Sequence, residues 1–108
     1  MKYLFICAAN RNRSKAAEQI CKGIAQAKGK NIECQSAGVH ELAERRVTKY
    51  LADWADRIFV MEEYMKDILV IDYDQKPEKI IVFDIPDIYP IYDPVLEQIL
   101  IKKIETYV

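Results

Sequence analysis

The chain has 108 residues, with 16 basic and 17 acidic side chains and a formal net charge of −1. That balance excludes bulk electrostatic binding of nucleic acid, no apolar run approaches membrane-spanning length, and the length suits a single domain over 1–108. Three cysteines at unrelated spacings and one histidine make neither a disulfide framework nor a zinc site, so a reducing cytoplasm is the default setting.

Met1-Lys2 and the apolar residues after it have the outline of a stunted signal peptide. The run is too short and leads straight into arginines, so Lys2–Cys7 reads as the first strand. A helix is expected over Ser14–Lys28, with Ala16, Ala17, Ile20, Cys21 and Ile24 on one stripe, closed by Lys28-Gly29-Lys30. Strands are then expected over Asn31–Gln35, Arg57–Met61 and Lys79–Phe83, and helices over Val47–Asp53, Glu62–Ile71 and Pro94–Thr106. This alternation predicts an α/β fold, a small four-stranded parallel sheet with helices on both faces. In such folds ligands bind beyond the carboxyl ends of the strands, which is where the residues after Cys7 lie.

Those residues, Cys7-Ala8-Ala9-Asn10-Arg11-Asn12-Arg13-Ser14, are the most specific stretch of the chain. A loop this short is able to curl into a ring whose backbone N–H groups point at one anion, with the following helix N-terminus aimed at the same point. Cys7 would be a nucleophile: a free thiol titrates at about 8.5, and helix N-termini and cations lower that value. Arg13 would grip two phosphate oxygens in its planar fork. Ser14 would hydrogen-bond the sulfur. Asn10, in a loop without glycine, is the expected bearer of left-handed backbone geometry. A cysteine ending a strand is also commonly a small buried hydrophobe. The strand before it and the helix after it give the phosphate-binding reading its weight.

Cys7 through Ser14, followed by Lys15-Ala16-Ala17-Glu18, resembles the signature of the low-molecular-weight protein tyrosine phosphatases. Ser36-Ala37-Gly38, Trp54 through Met61, and Ile85-Pro86-Asp87-Ile88-Tyr89 resemble further segments of that family, in the right order. The resemblance implies a cofactor-free, metal-independent hydrolase that forms a phosphocysteine and acts on phosphorylated proteins or small phosphomonoesters. It implies that Asp87 is the general acid, that Tyr89 contributes to substrate binding, and that residues 8–14 cradle the phosphate. Asp84 and Asp93 compete for the acid's role. Asp93 precedes Pro94 and reads as a helix N-cap; Asp84 reads as the end of a strand.

Three departures from the family pattern stand out. Arg11 and Asn12 occupy positions where many relatives have an apolar residue and a second cysteine, so Asn12 removes the usual disulfide partner of the nucleophile. Val39 to Asp53 is shorter than the family segment that carries part of the cleft wall, and His40 reads as an exposed loop residue. Ile88 replaces the proline after the acid, which loosens the loop. Two other readings follow: a phosphate- or phosphoprotein-binding module without turnover, and an arsenate reductase, which would need a cysteine relay from Cys7 through Cys21 or Cys34.

Overall fold

The computed structural model describes residues 1–108. Strand β1 is Lys2–Cys7. In an extended strand Tyr3, Phe5 and Cys7 point to one face of the sheet, and Leu4 and Ile6 to the other. All five are buried. The apolar run is therefore a central strand covered on both sides, as a parallel sheet requires.

Helix α1 (Arg13–Ala27), strand β2 (Glu33–Gly38), helix α2 (Lys49–Trp54), strand β3 (Arg57–Val60), helix α3 (Glu63–Asp72), strand β4 (Ile80–Val82) and helix α4 (Pro94–Glu105) follow. The strands lie in the order β2-β1-β3-β4, and every pairing is parallel. Helix α1 packs on β1, β2 and α4, while α3 packs on β3 and β4. Phe59 stacks on Phe5 at 5.1 Å and meets Tyr3 and Tyr107 edge-on at 5.0 and 5.1 Å, tying the end of the chain to the sheet. The connection after β1 runs to one side of it and the later strands lie on the other. The carboxyl end of β1 is thus a topological switch point, the place where open α/β sheets bind ligands.

Local chemistry sets the element ends. Gly29 takes φ 64° and Lys30 N–H donates to Ala25 O at 2.8 Å, closing α1 in the manner expected of a glycine cap. Thr48 caps α2 through Leu51 N–H at 3.1 Å. Asp93 caps α4 through Val95 N–H at 2.7 Å, with Pro94 in the first turn, as the sequence predicts.

Two expected elements move by two residues or more at an end, and the others stand or shift by one. Strand β2 spans Glu33–Gly38 instead of Asn31–Gln35, because it pairs along the whole of β1, from Lys2 with Glu33 to Cys7 with Gly38. Helix α2 starts after Val47, whose N–H is used by Gly38 O in an extension of the sheet edge.

Candidate active site

The ring grows out of the last residue of β1. Asn10 takes φ 54°, the left-handed geometry expected of it, and its side chain is buried. That turn brings Asn10 N–H to 3.2 Å from the Cys7 sulfur. The Ser14 hydroxyl lies 2.9 Å from the same sulfur. Asn10 Nδ2 then donates to Ser14 Oγ at 2.8 Å and to Ser36 Oγ at 3.0 Å, and the Ser36 hydroxyl donates to Glu18 Oε1 at 2.6 Å. A chain of hydrogen bonds therefore runs from the sulfur through the ring to β2 and α1. Each buried polar group in it has a partner, the condition under which such a network rigidifies a site.

The segment after β2 braces the ring from outside. His40 N–H donates to Ala8 O at 3.1 Å and Glu44 N–H to Ala9 O at 3.0 Å. His40 itself is exposed, as expected. Gly38 is what permits the close approach: a Cβ there would lie 2.5 Å from Ala8 O, 2.7 Å from Ala43 Cβ and 3.0 Å from Asn10 N. Gly38→Ala is expected to cost about 1–3 kcal/mol by overpacking and to depress turnover, because the atoms it displaces hold the sulfur. Urea denaturation alongside a phosphatase assay checks both; wild-type values in each would refute the bracing role.

Arg13 is the first residue of α1, and its side chain is only 2% exposed. Its Nη1 donates to Glu62 Oε1 at 2.5 Å and to Ile85 O at 2.7 Å. One guanidinium nitrogen is thus fixed to the protein from two sides, and the Nε–Nη2 edge stays available for two oxygens of an anion. Asp87 Oδ1 lies 3.8 Å from Nε, with a side chain 67% exposed. Cys7, Ala9, Arg11, Asn12, Arg13 and Asp87 line one cavity of about 230 Å³. A broader groove of about 680 Å³ lies alongside, with Arg11 and Asn12 common to both. The Cys7 side chain lines only the smaller one.

Of the residues expected at the site, Cys7, Ala9, Arg11, Asn12 and Arg13 of the ring line this cavity, and Asp87 reaches it from the loop after β4, whereas Ala8, Asn10, Ser14 and Tyr89 do not line it. Asp93 faces the broader groove and is occupied as a cap. Asp84 is exposed and takes φ 58°, a bulge between two cross-strand bonds, Phe83 N–H to Val60 O at 2.8 Å and Ile85 N–H to Met61 O at 2.7 Å. Of these three aspartates only Asp87 lines the cavity with Cys7. Tyr89 is half-buried, and its carbonyl accepts from Asn12 Nδ2 at 2.8 Å, with Pro90 O at 3.4 Å from the same amide. Asn12 therefore ties the acid loop to the ring, supplying restraint that Ile88 does not.

Two residues at the site carry no motif of their own. Glu62, the N-cap residue of α3 two positions past β3, is the anchor of Arg13; its only sequence signal is an acidic residue placed just beyond a buried strand. Tyr64 is the second residue of α3. Burial pushes its phenol above the ordinary tyrosine range, with the charge of Glu62 adding to it and Arg13 opposing. Glu62→Gln keeps the shape and removes the charge that orients the guanidinium. The expected result is a kcat about 10-fold lower, from misplaced phosphate contacts, with phosphate affinity weakened and thermal stability reduced by about 1–2 kcal/mol. A loss of stability with unchanged kcat and phosphate affinity would make Glu62 a purely structural partner.

The relay needed by an arsenate reductase is not built. Cys34 pairs with Tyr3 in the sheet, four residues from the level of Cys7, or about 13 Å along the strand. Cys21 is next to Cys34 and not to Cys7.

Comparison with known proteins agrees with this geometry. The family model for low molecular weight phosphotyrosine protein phosphatase matches residues 2–68. No curated protein matches the chain by sequence. Among solved structures, the low molecular weight protein tyrosine phosphatase from T. tengcongensis is 23% identical, with 99% of this chain and 97% of that one covered and a TM-score of 0.84. The tyrosine phosphatase Wzb from Escherichia coli K30, solved in complex with phosphate, is 22% identical over 98% of this chain and 94% of its own, with a TM-score of 0.79. The YwlE arginine phosphatase, in a mutant with a phosphorylated active site serine, is 20% identical over 98% and 95%, with a TM-score of 0.78. These likenesses establish the shared fold. The family match takes in β1, the ring, α1, β2 and β3, which between them hold the thiol, its donors and the anchored arginine, and on that ground the chain belongs to the low molecular weight phosphotyrosine protein phosphatase family.

Proposed function

We propose that this protein hydrolyses phosphomonoesters, those of phosphorylated proteins included, through a phosphocysteine formed on Cys7. The observation that carries the reading is the meeting of Cys7, Arg13 and Asp87 around one cavity. Cys7 attacks phosphorus in line while the Arg13 Nε–Nη2 edge and the ring N–H groups hold the equatorial oxygens. Preorganised donors of this kind stabilise the charge that develops there. Asp87 gives its proton to the departing ester oxygen. It then takes a proton from the water that cleaves the phosphorus–sulfur bond, returning the thiolate and inorganic phosphate. Ser14 and Asn10 receive the sulfur as it leaves. The phosphorylated active site serine of the YwlE mutant supports phosphoryl transfer onto the residue at this position.

The three cysteines are free thiols, which supports a reducing, cytoplasmic setting, and no helix is long and apolar enough to cross a membrane.

Hydrolysis of para-nitrophenyl phosphate in EDTA, inhibited by vanadate, tests the reading; no turnover by a folded, phosphate-binding protein would favour a binding module instead. Asp87→Asn is expected to lower kcat on alkyl and aryl phosphates by about 10²- to 10⁴-fold. An Asp87→Asn variant that turns over within threefold of wild type would assign the acid elsewhere.

A further inference from the structure

Cys21 on α1 and Cys34 on β2 take no part in the chemistry above, yet their sulfurs lie 2.8 Å apart. Both side chains are buried, Cys21 fully and Cys34 at 4% exposure. The elements that carry them are already clamped beside this pair. Glu18, three residues before Cys21, bonds to Ser36, two residues after Cys34. A disulfide has its sulfurs about 2.05 Å apart, so closure asks each sulfur to move by about 0.4 Å, within ordinary side-chain adjustment. We propose that Cys21 and Cys34 form a modification site at which a hydroperoxide generates a disulfide that staples α1 to β2.

The hydrogen bond with Cys21 holds the Cys34 thiol below its ordinary range against the opposing effect of burial, and Lys22 adds to the lowering. The same bond and burial push the Cys21 thiol up. Cys34 is also the one sulfur-bearing side chain of the pair that keeps some exposure, so it is the one that meets the oxidant first. Its thiolate attacks one peroxide oxygen, the O–O bond breaks, and hydroxide leaves to become water, giving a sulfenic acid on Cys34. The Cys21 sulfur then attacks the Cys34 sulfur. Its proton and the departing hydroxide form the second water, so two thiols and one peroxide become one disulfide and two waters. Hydrogen peroxide is small enough to reach a buried pair that bulky disulfide reagents reach poorly. The staple closes a short loop, and it spans the two elements that hold Asn10 through Ser36 and Glu18.

The test uses the Cys7→Ser protein, so that the reactive thiol does not consume the oxidant. Hydrogen peroxide is expected to remove the mass of two hydrogens, to yield a cross-linked peptide joining Cys21 to Cys34, and to raise Tm by about 10 °C, all reversed by dithiothreitol. Cys34→Ala in the same background should abolish all three changes. The unsubstituted chain gives an independent readout, since the same cross-linked peptide should appear in its digest after treatment. A folded protein that keeps both thiols free, or gains oxygen at Cys21 or Cys34 without the cross-link, overturns the proposal.

Discussion

Cys7→Ser is expected to lower kcat by about 10⁴- to 10⁶-fold, the scale on which enzymes lose rate when their nucleophile is removed, while inorganic phosphate still binds. The two halves of this prediction come from different atoms. Turnover depends on a sulfur that receives hydrogen bonds from Asn10 N–H and the Ser14 hydroxyl; a serine hydroxyl in the same place stays protonated and is a poor nucleophile. Binding depends on the ring N–H groups and on Arg13, which the substitution leaves in position. Single-turnover kinetics and phosphate titration by calorimetry separate them. Residual kcat within 100-fold of wild type would show that water attacks phosphorus directly, without a covalent step. Loss of phosphate binding together with activity would show that the sulfur organises the ring.

Arg13→Lys comes second. It is expected to lower kcat/KM by about 10³-fold, in the range of other arginine contacts to transferring phosphoryl groups, and to weaken phosphate binding. Charge is kept, so the loss measures geometry. Lysine offers one ammonium in place of a fork that holds Glu62 and Ile85 O with one nitrogen and faces the cavity with the remaining edge. Arg13→Ala goes further, leaving Glu62 without its partner beside a buried void, and is expected to cost about 3 kcal/mol of folding stability. Urea denaturation and steady-state kinetics on both variants check this. A lysine variant within threefold of wild type would mean that positive charge suffices and that the guanidinium fork is idle.

The features that the sequence made legible are those written into contiguous residues. The ring from Cys7 to Ser14, its strand and its helix lie within one stretch, so spacing alone placed the sulfur, the left-handed Asn10 and the arginine together. The cap at Asp93 was legible for the same reason. What depended on residues distant in the chain was not. Nothing in the surroundings of Glu62 announces that it meets Arg13, 49 positions earlier, and no spacing rule joins Cys21 to Cys34. Strand β2 runs past the expected end at Gln35 because Ser36 and Gly38 have weak strand preference of their own, and pairing with β1 overrides it. The helical stripe was rotated slightly for a related reason. Ala17, Cys21 and Ala25 are fully packed, whereas Ile20 and Ile24 lie at the margin of the core, since small residues let α1 approach the sheet closely.

Asn12 links two changes that look unrelated in the sequence, its own presence in the ring and the isoleucine after Asp87. With its amide on Tyr89 O and Pro90 O, it gives the acid loop an anchor that does not depend on a proline. The two positions are then epistatic, and the order of their replacement during descent matters. An ancestor that gained Asn12 first could lose the proline with little penalty. One that lost the proline first would pass through a slow intermediate.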